Sequence, residues 1–447
     1  MDRCEALARE VCARLHAAGH EAVLAGGCVR DRLLGQTPQD YDIATSARPE
    51  QVQRLFARVV PVGHDFGVVL VLVDGHEFEV ATFRCDGPYH DGRRPAHVAF
   101  TGIEGDASRR DFTVNALYYD TRQERVIDLV GGQDDLRRGV VHTVGDPAAR
   151  FAEDKLRLLR AVRFAARLGY TLDPHTAAAI RAQASDVTQT SAERIRDELV
   201  KMLCEGAARA AFEWLDALGL LREVLPEIDA MHGCEQPPEY HPEGDVFVHT
   251  MIMLGHLRHA TPTLAMGVLL HDVGKPRTAV FKERWRFPDH DNVGAEMAGC
   301  ICERLRFSRE QTRRISWLVA QHMRFAHLPD MRESKRKRFV REPGFDELVE
   351  LCRIDCLSSH RDLRIVAWVL DYLRDLPLDA ARPAPLLTGH DLIALGYTPG
   401  PRFAEILGAV EDAQLEGALA SRADALDWVQ RQWAGRTAAT RRSESAR

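Results

Sequence analysis

The chain has 447 residues, with 59 Lys+Arg against 66 Asp+Glu for a formal charge of −7, and 45% hydrophobic residues. That length suits about three domains of ~150 residues, and the composition excludes a mostly disordered protein. No apolar run approaches the ~20 residues needed to cross a bilayer, and the acidic balance argues against indiscriminate binding to nucleic acid.

In chain order, MDRCEALAREVCARLH reads as an amphipathic helix rather than a secretion signal. Glu21–Ala25 predicts a strand that runs into Gly26-Gly27, followed by a helix over Val29–Leu34 that stops at Gly35. Paired glycines let backbone N–H groups approach an anion, and a helix N-terminus adds a favourable potential. Asp40 and Asp42 lie two apart, on one side of an extended chain. Like charges that close stay ionised together most cheaply around a shared divalent cation. Gly26, Gly27, Arg30 and this Asp-x-Asp, all within residues 26–42, describe a triphosphate cradle beside a metal site.

Next, Val68–Val73 and His76–Arg84 flank Asp74-Gly75, a strong hairpin signal. Alternation puts Glu77, Glu79 and Ala81 on one face, so Glu79 is a candidate third carboxylate. The segment 86–96 (DGPYHDGRRPA) is expected to be a mobile loop. RRDFTVNALYYD then gathers Arg109, Arg110, Asp111 and Asn115, either as a structural salt bridge or as ribose and phosphate contacts.

After Pro147 the texture becomes helical. The run FAEDKLRLLRAVRFAARLGY predicts one helix on which Asp154 and Arg157 are neighbours, with Arg160 and Arg163 continuing the row. Leucines, Val162 and Phe164 occupy the other sides, so the arginines must face something particular. An Asp–Arg pair matches cytosine and adenine, each of which offers an amino donor beside a ring-nitrogen acceptor. Guanine and uracil present the reverse pattern and would leave both protein groups mispaired, at a cost of several kcal/mol.

These motifs, LAGGCVRDRLLG…DYDIAT, RRDFTVNALYYD and RFAEDKLRLLRAVRFAARLG, resemble in order and spacing those of the class II tRNA nucleotidyltransferase/poly(A) polymerase family, which includes the CCA-adding enzymes. The resemblance covers roughly residues 20–225. It implies an α+β fold, with a nucleotidyltransferase head on a small mixed sheet followed by helical neck, body and tail parts. It also implies that Asp40, Asp42 and Glu79 are catalytic and that the two aspartates bind Mg²⁺. Gly26, Gly27, Arg30, Arg110, Asp111, Asn115, Asp154, Arg157, Arg160 and Arg163 would bind nucleotide, with the 86–96 loop helping the switch from C to A addition.

Residues 243–375 hold eight of the 19 histidines. His249 lies on the apolar helix VFVHTMIML, His271-Asp272 follows LAMGVLLHD, and His290, His322 and Asp355 come later. Imidazoles with adjacent carboxylates suit a divalent metal. The order resembles the HD superfamily of metal-dependent phosphohydrolases. That resemblance assigns His249, His271, Asp272 and Asp355 to a main metal site of unidentified metal, and His290 and His322 to a second, with His327 and His360 as competitors for those two places.

The expected organisation is a head at 1–145, a neck and body at 146–232, an all-α HD domain at 243–375 and a helical tail at 376–447 with a disordered end. The function this implies is addition of C, C and A to the tRNA 3′ end from CTP and ATP, with release of pyrophosphate by a two-metal mechanism, in the cytoplasm and away from membranes. Ten cysteines without a CxxC pair fit that reducing compartment. The alternatives are an A-adding, CC-adding or poly(A)-adding relative, or a protein whose main activity is phosphoester hydrolysis by the HD domain. The net charge averages over local patches: Arg150–Arg167 holds six basic residues against two acids, and Arg332–Arg341 six against one, a second candidate RNA contact.

Overall fold

A computed structural model describes residues 2–63, 66–87, 97–377 and 382–433. Among them, those within Met1–Cys234, Asp245–Met266 and Cys300–Arg309 form one compact unit. Those within Glu235–Gly244, Gly267–Gly299 and Glu310–Arg447 form a second.

The first unit opens with helix α1 (Arg3–Ala17), started by the Asp2 carboxylate accepting from Glu5 N at 2.6 Å. Strand β1 (Ala22–Ala25) leads into α2 (Gly27–Leu33), β2 (Asp42–Thr45) and α3 (Pro49–Leu55). Strands β3 (Val59–Gly63), β4 (Val68–Val73) and β5 (His76–Thr82) follow. The β4–β5 turn is the expected Asp74-Gly75 pair, with φ of 49° and 78°, as a tight antiparallel hairpin requires. Strands β6 (Arg84–Asp86) and β7 (Val98–Phe100) pair apart from the main sheet. Residues 88–96 of the expected mobile loop lie outside the described residues.

Helix α4 (Ile103–Ser108), β8 (Leu117–Asp120) and β9 (Arg125–Asp128) complete a seven-stranded mixed sheet in the order β3-β4-β5-β2-β1-β8-β9. All neighbours are antiparallel except β2 and β5, whose parallel register pairs Ile43 with Val80. One residue earlier on each strand stand Asp42 and Glu79. That register, rather than the alternation alone, distinguishes Glu79 from Glu77.

Helix α5 (Gly132–Arg138) and strand β10 (Val140–Val141) lead to the helical part. The single helix expected from 150 onward is two: α6 (Pro147–Glu153) and α7 (Leu156–Leu168). Between them Asp154 is extended, with φ −139° and ψ 106°, and its side chain accepts from Leu156 N at 3.1 Å. An aspartate competes with helix by bonding nearby backbone N–H groups, and here that competition breaks the chain's path. Leu158, Leu159 and Val162 of α7 are fully buried, each worth about 2 kcal/mol of apolar burial. Strand β11 (Thr171–Leu172) pairs with β10, so this part is not purely helical. Helices α8 (Pro174–Ala182) and α9 (Ala192–Cys204) follow, and α9 packs against α7.

The second unit is mostly helical, with a short antiparallel hairpin, Val280–Lys282 and Arg284–Arg286, where an all-α domain was expected. Its last helices, Gly389–Ala394, Pro401–Leu415 and Arg422–Trp433, share a core of Leu392, Ile406, Val410, Ala425 and Val429. The basic run Arg332–Arg341 lies mainly on helix Glu333–Val340 and bonds within the unit. Arg338 and Arg341 reach Glu411 at 2.8 and 2.5 Å. Lys337 donates to the Leu415 carbonyl at 2.8 Å, and Arg336 to those of Leu328, Pro329 and Met331. Those cations cement one helix to another, so the cluster is a poor RNA contact. No helix among the described residues is long and apolar enough to cross a membrane.

Candidate active site

A cavity of about 620 Å³ opens in the first unit. One wall is formed at β1, β2 and β5, bringing Gly26, Gly27, Asp40, Asp42 and, from β5, Glu79. The other is α7 and its approach, bringing Asp154, Arg157, Arg160 and Arg163. Arg30, Arg110, Asp111 and Asn115 also line it, so every residue expected for catalysis and nucleotide binding reaches one cleft. Nine cations and seven carboxylates line the cavity, unevenly distributed: arginines dominate the α7 side and acids the strand ends.

Gly26 makes the close approach possible. Its φ is 75°, and a Cβ there would lie 3.1 Å from Arg110 Nη1 and 3.9 Å from Asp42 Oδ2. The carboxyl of Asp42 is open to the cavity yet surrounded by protein on most sides. Desolvation, then Glu79 and Asp40, push it up to about 7 against the pull of Arg110. An acid that reluctant to ionise gains most from a bound cation. Asp40, Asp42 and Glu79 share the cleft without the mutual 4.8 Å spacing of a three-ligand cage, leaving room for oxygens from a ligand.

The arginines are held by Asp106 and Glu198, which the sequence reading did not single out, and by Asp111 and Asn115, which it did. Buried Asp106 accepts from Arg109 at 2.6 Å, from Arg110 at 3.2 Å and from the Tyr118 hydroxyl at 2.7 Å. Burial pushes its carboxyl up, but Arg109 and Arg110 outweigh this and hold it below the usual range. Arg30 donates to Asn115 Oδ1 at 2.5 Å, and Asn115 Nδ2 to Asp111 at 3.3 Å. Arg160 donates twice to Asp111, at 2.6 and 2.9 Å, and Arg163 bonds Glu198 of α9 at 2.6 Å. Asp111 therefore does serve a structural pair, while lining the cleft as well.

Asp154 and Arg157 do not pair with each other. Arg157 donates to Glu153 at 2.7 Å and to the Arg150 carbonyl at 3.0 Å. Asp154 receives both ends of Arg194 from α9. The signal that could have revealed Arg194 and Glu198 is their spacing in SAERIRDEL, four apart on one helix face.

In the second unit, the Nε2 atoms of His290 and His322 lie 3.6 and 3.8 Å from Asp272 Oδ1 and 3.3 Å from each other. Asp272, His290 and His322 are all buried and spaced to hold one ion. His271, His290 and His322 each place Nδ1 on the carbonyl three residues back, Val268, Phe287 and Val319, at 2.9, 2.8 and 2.7 Å. That turns the Nε2 atoms of His290 and His322 inward, the arrangement of metal-ligating histidines, while His271 Nε2 lies 3.0 Å from Asp272 Oδ2. Burial, then His271, pushes His322 down to about 4, keeping it a neutral ligand. Burial opposes ionisation of Asp272, but His271 and Lys275 hold its carboxyl well below the usual range. Asp355 is in the same unit on helix Phe345–Ser358, His249 is buried on helix Val246–Gly255 of the first unit, and His327 and His360 are exposed.

Comparison with known proteins gives three family matches along the chain: a Poly A polymerase head domain over residues 22–142, a probable RNA and SrmB-binding site of polymerase A over 169–231, and an HD domain over 246–357. The CCA-adding enzyme of Levilactobacillus brevis is 32% identical over 94% of this chain and 96% of its own. That of Bacillus subtilis is 45% identical, and the match spans about half of either protein, 46% of this chain and 52% of the other. Among solved structures, the Bacillus stearothermophilus CCA-adding enzyme in complex with CTP aligns with a TM-score of 0.74 at 26% identity, over 98% of this chain and 99% of that one.

Proposed function

The chain belongs to the tRNA nucleotidyltransferase/poly(A) polymerase family that includes the CCA-adding enzymes, and on that premise we propose that it adds C, C and A to the 3′ end of tRNA, from CTP and ATP, releasing pyrophosphate. The observation that carries this reading is a single cavity joining the carboxylates Asp40, Asp42 and Glu79 to the Asp154–Arg163 wall. A relative solved with CTP, aligned along the whole chain, supports it.

The geometry supports the following roles. The Gly27 N–H at the start of α2 and the guanidinium of Arg110, fixed by Asp106, offer donors to a triphosphate, while the Gly26 N–H is held by the Leu117 carbonyl at 2.9 Å. Asp40, Asp42 and Glu79 are the residues that would hold Mg²⁺, which when bound neutralises the triphosphate and acidifies the RNA 3′-hydroxyl in two-metal fashion. Asp154 accepts from the amino group of cytosine or adenine while Arg157 donates to the ring nitrogen beside it. Uracil and guanine oppose acceptor to acceptor and donor to donor, and are refused. The protein thus reads a base without a nucleic-acid template.

We divide the chain into a head at 1–145, a neck and body at 146–232, an HD domain at 243–375 and a tail from 376. In the HD domain, Asp272, His290 and His322, with His271 and, by the superfamily motif, His249 and Asp355, would hold a divalent metal that serves phosphoester hydrolysis. The tRNA reaction belongs in the cytoplasm, in keeping with the scattered cysteines. Incorporation of labelled CTP and ATP, but not UTP or GTP, into a 3′-truncated tRNA tests the proposal.

A further inference from the structure

Positive charge in the second unit stands in two places, and the two differ in kind. The cations of helix Glu333–Val340 are largely consumed by Glu411 and by backbone carbonyls. The hairpin Val280–Lys282/Arg284–Arg286 keeps its cations: Lys282, Arg284 and Arg286 are exposed, and among the described residues no ion pair involves them. Glu283, at the turn with φ 60°, is the single acid in the stretch 275–287.

The ladder pairs Phe281 with Trp285, Lys282 with Arg284, and Val280 with Arg286. Side chains alternate across a strand, so the hairpin has two distinct faces. One carries the rings of Phe281 and Trp285, 5.2 Å apart and edge to face. The other carries the three cations. Phe281 is 63% exposed, which leaves its ring open to a stacking partner. A two-stranded hairpin is marginal alone, and this one is braced. Trp285 Nε1 donates to Glu235 at 3.0 Å, and the Arg284 guanidinium lies 5.7 Å from the ring centre of Tyr240, itself 52% exposed.

A protein interface core disfavours lysine, whereas cations without ion pairs on one face and an exposed ring on the other suit an RNA strand that wraps the narrow hairpin, its phosphates on the cations and an unstacked base on the ring. The geometry points to a second RNA-contacting element: the Val280–Arg286 hairpin takes an unstacked base on Phe281 and backbone phosphates on Lys282, Arg284 and Arg286. It lies outside residues 169–231, where the family match places RNA binding. The inference rests on the reading that the substrate is RNA.

The test uses the full-length protein and a tRNA transcript lacking its 3′ CCA. Binding is measured between roughly 50 and 200 mM salt, where each neutralised phosphate contributes about 0.9 to the log–log slope. The triple variant Lys282→Glu/Arg284→Glu/Arg286→Glu should lose about tenfold or more in affinity, with a slope lower by about 2–3. Phe281→Ala should weaken binding several-fold at unchanged slope, which guards against a misfolded triple variant. Both should keep the wild-type KM for CTP. Wild-type affinity and slope in the triple variant, or wild-type affinity in Phe281→Ala, overturns the hairpin assignment while leaving tRNA extension intact. Wild-type protein that neither binds nor extends tRNA overturns this inference and the underlying reading together.

Discussion

Arg194 grips Asp154 with both arms, Nη1 to Oδ1 at 3.0 Å and Nη2 to Oδ2 at 2.8 Å, across 40 residues of chain. A bidentate guanidinium fixes the plane of a carboxylate as well as its position. With the Leu156 N–H also on Oδ1 at 3.1 Å, the free lone pair for an incoming amino group is on Oδ2. Asp154 sits where the helix is broken, aimed locally by the single Leu156 N–H on Oδ1. On the proposed reading of Asp154, Arg194 is the residue that positions it for base selection.

Replacing Arg194 by Ala should lower the preference for CTP and ATP over UTP and GTP by roughly 10–100-fold, the value of about 1.4–2.7 kcal/mol of misorientation. Single-nucleotide incorporation rates measure it. The release of pyrophosphate should stay dependent on Mg²⁺, and Arg194→Lys should recover only part of the selectivity, because an ammonium cannot grip both oxygens.

Asp42 should make cation binding sensitive to pH. Its carboxyl is pushed up to about 7, so in cation-free protein it is largely protonated below that pH. A divalent cation needs the charged form, and its binding should expel a proton around neutrality and weaken as pH falls through 7. Calorimetry of Mg²⁺ binding in buffers of different ionisation enthalpy should detect that proton, and Asp42→Asn should abolish it. The stability sign follows from the same shift. The folded state binds the proton more tightly than the unfolded one, so Asp42 supports folding below about pH 4, and this support fades as pH rises to 7. Added Mg²⁺ should reverse the loss.

The second unit should bind a divalent cation independently of the head. Asp272→Asn should remove one bound metal, measured by elemental analysis after dialysis, and should lower the Tm gained on adding metal back. Addition of nucleotides to tRNA should proceed at the wild-type rate. His327→Ala and His360→Ala should leave the metal content unchanged, since both imidazoles are exposed.

Arg338→Ala with Arg341→Ala should destabilise the protein by about 1 kcal/mol, as expected for partly exposed pairs with Glu411. Urea unfolding measures this. The KM for tRNA should not change, because these cations are already engaged within the unit.

The sequence was most legible where chemistry is local. Gly26 and the Asp74-Gly75 turn adopt backbone conformations that few other residues take, and the alternating strand narrowed the third carboxylate to Glu77 or Glu79. Choosing between them needed the parallel register of β2 and β5, a long-range pairing that periodicity alone does not encode. The break at Asp154 was missed because the surrounding leucines and arginines favour helix strongly, while one side-chain-to-backbone bond reverses the outcome locally. Asp106, Arg194 and Glu198 were missed for a related reason: each matters through a partner brought close by folding. In Arg332–Arg341 the charge was visible but its partners were not, since Glu411 lies 70 residues or more away.

The most direct measurement of the central claim uses three tRNA transcripts, ending at the discriminator base, after one C and after two, each incubated with protein, Mg²⁺, CTP and ATP. Products resolved to single nucleotides should end at CCA from all three, and Asp42→Ala should abolish every extension. A ladder of repeated A, arrest after CC or addition of A alone would contradict the account.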